Sequence, residues 1–310
     1  MNNQYDPLPS WHEGKIKQRI IDFVQQVTDP ESEHFVIEEE RIATFDNDGT
    51  LTVEKPVMAQ VAYFKRKLLG ADVLENASKL HRILHWAKEV IFDLGSLLKL
   101  TFSFIRKGIT TDEYRASVSQ WINHAKHPRY KRKYTELAYL PMQEVLVYFQ
   151  QHGFTNYIVS GSTANFIRPW SEDIFQVTAN RVIGSSLKTR LSKNKESLVV
   201  KLEPIPFSIE NRARKVLSIE RRIAKRPIAA FGNSYGDVDM LRWARTTKQS
   251  LCVLIHHTDE KREYKYSPNS RFRLGKNTLG YAETLKWQVV DMKNDWKYIF
   301  AFEHQERENN

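Results

Sequence analysis

One cysteine, Cys252, stands in a chain of 310 residues, and one thiol cannot close an intramolecular disulfide. It lies in Leu251-Cys-Val-Leu-Ile255, an apolar strand-like run, which marks a buried, inert thiol rather than a nucleophile. Apolar runs of membrane-spanning length are also missing. The most apolar long stretch, Val90 to Ile105, is broken by Asp93 and Lys99 and falls short of a span. The N-terminus, Met1-Asn-Asn-Gln-Tyr-Asp6, has no basic n-region followed by an apolar h-region, so a cytoplasmic protein is expected. There is no internal repeat and no low-complexity linker. Acidic charge is the scarcer sign: 37 Asp and Glu stand against 47 Lys and Arg, for a net charge of +10. A basic surface suits phosphorylated or otherwise anionic partners without choosing among nucleotide, phosphoprotein, nucleic acid and membrane. With 41% hydrophobic residues, wholesale disorder is excluded, and the length allows one large domain or two smaller ones.

What is present is organised around Ala43-Thr-Phe45-Asp46-Asn47-Asp48-Gly49-Thr-Leu51. Residues 41 to 45 read as a short buried strand, with Asp46 and Asp48 at its exit and Gly49 permitting a sharp turn. Carboxylates at i and i+2 on extended backbone share a direction. Such a pair needs compensation, most simply from a hard cation such as Mg2+, which prefers oxygen ligands. Before it, residues 9 to 28 read as an amphipathic helix burying Ile16, Ile20, Phe23, Val24 and Val27, with Ser10 as its cap. After Leu51 the pattern turns helical. Helices are expected over 57 to 69, 73 to 92, 94 to 106 and 111 to 126, the last opened by Thr110-Thr-Asp-Glu113. The run His127-Pro-Arg-Tyr-Lys-Arg-Lys133 reads as a solvated basic hinge rather than a nucleic-acid patch, because aromatic interleaving is absent. No nucleic-acid partner is expected.

From Pro141 strands and helices alternate. A helix is expected over 141 to 152, a strand over 154 to 159 and a helix over 163 to 175. Further strands are expected at 181 to 184, 198 to 202, 228 to 231 and 251 to 255. The alternation predicts an α/β fold with a doubly wound parallel sheet. Three later constellations belong with the aspartates. Ser160 ends a strand and is followed by Gly161 and a helix start, so its hydroxyl, exposed N–H groups and the helix dipole suit an anion. Lys215 lies in the basic run Glu210-Asn-Arg-Ala-Arg-Lys-Val-Leu-Ser-Ile219, with Arg212 as the alternative cation. The run Phe231-Gly-Asn233-Ser-Tyr-Gly-Asp237 closes an apolar strand with oxygen ligands. Ligands of doubly wound sheets collect at the carboxyl ends of strands, where all four are predicted to meet.

These four constellations, in this order, resemble the motifs of the haloacid-dehalogenase-like (HAD) phosphatases. Further stretches, among them 134 to 142, 256 to 264 and 290 to 296, look like a subgroup related to phosphoserine phosphatases. Thr52 departs from it, since that subgroup usually has Trp there; many relatives also have Asp where Asn233 stands. The resemblance implies a Rossmann-like catalytic core over 1–55 and 135–310 and a helical C1 cap over 56–134, inserted after the first motif. It implies a Mg2+-dependent phosphomonoesterase with Asp46 as nucleophile and Asp48 as general acid and base. Ser160 and Lys215 would stabilise the phosphoryl group. Mg2+ would be held by Asp46, the backbone carbonyl of Asp48, Asn233 and Asp237. Asn47, Gly161 and Arg168 are candidate substrate contacts, and His257 and Asp259 are further candidates at the pocket. The substrate expected is a phosphorylated small molecule or phosphopeptide, chosen by the cap. The rival reading is a HAD-scaffold effector, or a peripheral membrane protein acting on a phosphoprotein or phospholipid headgroup. It rests on the apolar, basic-ended segment 94 to 107; cap-core packing explains that stripe more simply.

Overall fold

The computed structural model describes residues 6–69, 108–193, 197–269 and 277–308. Seven strands form one sheet. They are β1 (Ile42–Phe45), β2 (Thr155–Thr163), β3 (Val182–Lys193), β4 (Leu198–Ser208), β5 (Ala229–Gly232), β6 (Leu251–His256) and β7 (Gln288–Asp291), in the order β4-β3-β2-β1-β5-β6-β7. All neighbours are parallel except β3 and β4, which form an antiparallel pair. Strand β1, which leads into Asp46, is central. Phe45 pairs with Ile158 on one side and Phe231 on the other, so Asp46 emerges at the carboxyl edge of the sheet.

Both faces of the central strands are apolar, as a parallel sheet covered by helices requires. Successive residues alternate between two cores. Phe45, Ile158, Phe231 and Val253 pack with α1 (Lys15–Thr28) and α4 (Leu140–Gln151), through Ile20, Phe23, Val24, Val145 and Phe149. Val159, Ala230, Cys252 and Leu254 pack with α6 (Ala213–Ile223), α7 (Val238–Ala244) and α8 (Thr278–Thr284), through Ile219, Met240, Leu241 and Ala282. Phe45 stacks on Phe231 at 4.6 Å and meets Phe149 edge-on at 6.1 Å, so an aromatic wedge sits directly behind the catalytic strand. Cys252 is buried as expected, and burial pushes its thiol up to about 12.

Between β1 and α4 lie α2 (Ala59–Leu69) and α3 (Thr111–Ile122). The α3 start has the expected capping box, with Thr110 and Glu113 bonded reciprocally. Tyr63 of α2 and Trp121 of α3 pack against one another and against Phe166 of α5 (Ala164–Phe175). The helices expected over 73 to 92 and 94 to 106, and the apolar segment 94 to 107, lie outside the described residues. Two short helices, α9 (Met292–Asp295) and α10 (Ala301–Glu308), close the chain.

Several expectations are corrected. The first helix starts at Lys15 rather than residue 9, with Gly14 before it. Ser10 does not cap it; its N–H binds the Glu144 carboxylate across the core. The expected short strands at 181 to 184 and 198 to 202 are parts of a longer hairpin, β3 and β4, many of whose residues are exposed or half-buried. Two prolines, Pro204 and Pro206, lie in β4 at the end of the sheet. The basic run 127–133 is not wholly solvated. His127 is buried and binds the Lys55 carbonyl at 2.7 Å. The Arg129 guanidinium binds the carbonyls of Glu260, Lys261 and Glu263, a set of unpaired loop acceptors that a cation satisfies. β7 follows from no strong pattern, being four residues of mixed polarity.

Candidate active site

Asp46 is held as a continuation of β1 by its N–H, which donates to the Phe231 carbonyl at 2.9 Å. The chain then turns sharply. The Asn47 carbonyl accepts from Leu51 N at 2.8 Å, and Gly49 takes φ +83°, which disfavours a side chain. A Cβ at Gly49 would also lie 1.9 Å from Asn233 Nδ2, so the turn and the loop after β5 touch. A larger residue at 49 would push those two loops apart.

Lys215 is placed on the buried face of α6, with a side chain only 3% exposed. Its ammonium donates to Asp46 Oδ1 at 2.6 Å, Asp237 Oδ1 at 2.6 Å and the Val159 carbonyl at 2.7 Å. All three of its hydrogens are therefore engaged. Burial opposes its charge, but Asp237 and Asp46 outweigh that and raise its pKa. Burial and the neighbouring Asp237 raise Asp46 in turn, with Lys215 acting against them. Arg212, the alternative cation, does not reach this cluster. It takes φ 54°, lies over the Tyr235 ring at 4.6 Å and pairs with Asp239 at 3.5 Å.

Asp48 lies on the other side. Its Oδ2 accepts from Ser162 Oγ at 2.7 Å and Ser160 Oγ at 3.3 Å. Burial raises the Asp48 carboxyl, and the two hydroxyls only partly oppose this. The shorter of these bonds is to Ser162, which the sequence reading passed over. The signal was there: Ser160-Gly-Ser162 puts two hydroxyls at i and i+2 on one strand end. Gly161 contributes its carbonyl, which accepts from Ser185 Oγ at 2.6 Å.

The loop after β5 completes the cluster. Asp237 Oδ2 accepts from the N–H groups of Asn233 and Ser234 and from Ser234 Oγ, at 3.0–3.1 Å. Thr50 Oγ1 lies 3.5 Å from both Asp46 Oδ2 and Asn233 Oδ1, so these two oxygens face one point. Asn233 Nδ2 points away, 3.4 Å from Glu54 Oε1. Glu54 is a carboxylate the sequence reading did not include. Its placement depends on contact between two distant loops, for which no local pattern exists. Burial raises its pKa, with Lys55 opposing.

The remaining candidates divide. Asn47 is buried at the site, and its Oδ1 has no protein partner. Arg168 donates to the Val182 carbonyl at 3.2 Å, away from the carboxylates. Asp259 is engaged by Arg262 at 2.5 Å and caps the N–H groups of Lys261 and Arg262. His257 is buried against the catalytic turn, its Nε2 2.7 Å from the Gly49 carbonyl.

A central parallel sheet with two aspartates at the exit of its middle strand, a buried lysine between carboxylates and a strand-end serine defines a class of hydrolase. The chain belongs to the haloacid dehalogenase-like hydrolase family, whose model matches residues 43–242. No curated protein matches it in sequence. A protein of unknown function from Bordetella pertussis Tohama I is similar in structure, with TM-score 0.53 and 14% identity, over 82% of this chain and 99% of that one. A conserved protein of unknown function from Anaerococcus prevotii DSM 20548 matches with TM-score 0.50 and 16% identity, over 79% and 86%. A probable phosphoserine phosphatase from Vibrio cholerae, in unliganded form, matches with TM-score 0.41 and 14% identity, over 83% and 70%.

Proposed function

We propose that the protein is a Mg2+-dependent phosphomonoester hydrolase that works through an aspartyl-phosphate on Asp46. One observation supports this above the others. Among the described residues, Asp46 Oδ1 is bound by Lys215, whereas Oδ2 meets only the Thr50 hydroxyl at 3.5 Å, and burial raises the Asp48 carboxyl two residues away. One carboxylate oxygen is thus fixed and the other is free to attack.

In the first half-reaction Asp46 Oδ2 forms a bond to phosphorus as the ester P–O bond breaks. The Asp48 carboxyl gives its proton to the departing oxygen. Its raised pKa suits that duty, because a proton is still held where an ordinary carboxyl would have lost it. In the second half-reaction the Asp48 carboxylate takes a proton from water, which attacks phosphorus. The Asp46–phosphorus bond breaks and inorganic phosphate leaves. Ser160 and Lys215 offer a hydroxyl and a fixed positive charge to the phosphoryl oxygens.

The donor set suits a hard cation. Asp46 and Asp237 supply carboxylate oxygens, Asn233 supplies an amide oxygen, and Glu54 brings a further carboxylate beside the Asn233 amide. Asp46, the Asp48 carbonyl, Asn233 and Asp237 would hold the ion. Among the described residues no three His, Cys, Asp or Glu side chains form a metal cluster. Bound Mg2+ supplies charge neutralisation to the phosphoryl oxygens. A phosphorylated small molecule or phosphopeptide is the proposed substrate, with a cap over 56–134 selecting it. The test is hydrolysis of an aryl phosphate with and without chelator, together with trapping of labelled phosphate on Asp46. Full activity in excess EDTA removes the metal assignment, and turnover without a labelled enzyme intermediate removes the nucleophile.

A further inference from the structure

We infer that His257 and Glu263 form a buried positioning pair that sets the catalytic turn. His257 follows β6 directly, so it enters the carboxyl edge of the sheet beside the turn 46–52. It is 1% exposed, and Glu263 is 0% exposed. His257 Nε2 lies 2.7 Å from the Gly49 carbonyl, and Nδ1 lies 3.1 Å from Glu263 Oε2. A carbonyl only accepts, so Nε2 carries a hydrogen, and Nδ1 faces a carboxylate, so a second hydrogen lies between Nδ1 and Glu263 Oε2. Glu263 is fixed in turn: Oε1 accepts from Tyr139 OH at 3.2 Å, and Oε2 accepts from the Tyr264 N–H at 2.5 Å. Tyr266 stacks on the imidazole at 4.1 Å and removes its remaining rotational freedom.

The held atom is what gives this arrangement a consequence for chemistry. Gly49 follows Asp48 directly and has the left-handed φ on which the turn depends. Its N–H donates to the Thr52 carbonyl at 2.7 Å and its carbonyl accepts from His257, so both polar groups of its backbone are tied down. Next to it Tyr139, whose hydroxyl binds Glu263, uses its own N–H to hold the Leu51 carbonyl at 2.8 Å. One connected set of bonds therefore grips the turn at two of its carbonyls, those of Gly49 and Leu51. His257 acts through Gly49 and is a positioning residue. A neutral apolar residue of the same volume would fill the space and leave the Gly49 carbonyl without this donor.

This inference rests on the phosphatase reading for its kinetic arm and stands apart from it in its structural arm. Three variants, His257→Ala, His257→Gln and Glu263→Gln, are compared with the parent. The measurements are kcat and KM for an aryl phosphate with Mg2+, and amide hydrogen exchange over residues 46–52. A misplacement of the catalytic groups by about 1 Å costs roughly 100-fold in rate, so His257→Ala is expected to lower kcat by about that factor while KM stays within about threefold. Gln can donate one N–H to the Gly49 carbonyl, so His257→Gln is expected to recover kcat to within about tenfold of the parent. Glu263→Gln can donate to Nδ1 and keep the Nε2–H form, so it too should stay within about tenfold. Exchange at Thr50, Leu51 and Thr52 should quicken in the Ala variant and not in the Gln variant. A folded His257→Ala protein with parental kcat and exchange overturns the proposal, as does a His257→Gln protein as slow as His257→Ala. If the Ala variant does not fold, the His257→Gln result decides in the same two directions. If the parent hydrolyses no phosphoester, the phosphatase reading fails, and the exchange comparison still decides the positioning.

Discussion

Lys215 holds one positive charge between two buried carboxylates, and the site's behaviour on substitution follows from that. Removing it leaves Asp46 and Asp237 facing each other without a cation, a situation that costs about 3–5 kcal/mol for a buried pair. Lys215→Met is therefore expected to lower stability by that order in the absence of metal, with part of the loss restored by added Mg2+; thermal melts with and without the ion check this. Lys215→Arg should not rescue, because a planar guanidinium cannot place three hydrogens on the three acceptors an ammonium reaches. Asp46→Asn is expected to abolish turnover and labelling with the fold kept, read by a melt and a phosphate-trapping assay. The proton on Asp48 sets the pH dependence. Burial raises its pKa, so the protonated acid persists to higher pH than an ordinary carboxyl and is lost as pH rises through that value. Cleavage of an alkyl phosphate should accordingly fall on the alkaline side. Asp48→Asn should slow it by roughly 10²–10⁴-fold and slow a nitrophenyl phosphate less, because that leaving group needs no proton. Among these residues, the sequence identified Asp46, Asp48, Lys215 and Asp237 because each follows an apolar strand or keeps a fixed distance from one. Glu54 and Ser162 escaped it for different reasons. Glu54 comes near Asn233 only because Gly49 lets two loops touch, whereas Ser162 was visible and was overlooked beside Ser160.

At the scale of elements, α4 contains a carboxyl with an unusual load. Glu144 meets the Ser10 N–H near the buried Lys17, and burial pushes it up to about 7. Its pKa is thus raised in the folded chain relative to the unfolded one, where an ordinary glutamate titrates near 4.5. The stabilisation from binding that proton is complete below about 4.5 and is lost as pH rises through about 7. Glu144→Gln removes the dependence. It is expected to match the parent near pH 4 and to exceed it at pH 8 by at most about 3 kcal/mol, read from urea unfolding at both values. Element existence was legible wherever periodicity had a partner face: α1, α4, α5, β2, β5 and β6 all lie close to where the apolar spacing put them. The hairpin of β3 and β4 was legible only in part, as short strands at 181 to 184 and 198 to 202, because Leu191, Leu198 and Phe207 are exposed at 66%, 62% and 72% and their hydrophobicity does not report burial.

For the molecule as a whole, the sheet order places the four constellations at one edge although they are spread over 192 residues from Asp46 to Asp237, by inclusive count. A cap over 56–134 is the part proposed to choose the substrate. Exchanging it for a short linker should change the ranking of phosphoesters cleaved while Mg2+ dependence stays, provided a melt shows that the core still folds; an unchanged ranking in a metabolite screen would place selectivity in the core. No described helix is long and apolar enough to cross a membrane. The sheet's two ends differ in a way that bears on handling the protein in concentrated solution. β4 ends the sheet with exposed Ile205 and Phe207, the composition that invites another chain to add a strand. Its outward groups are not freely offered. At Leu202 both the N–H and the carbonyl are taken by residues 108 and 109, and Pro204 and Pro206 have no N–H to give. A visiting strand would find the template interrupted at residues 202, 204 and 206. Replacing both with threonine should leave catalysis untouched and shorten the time to turbidity at high protein concentration.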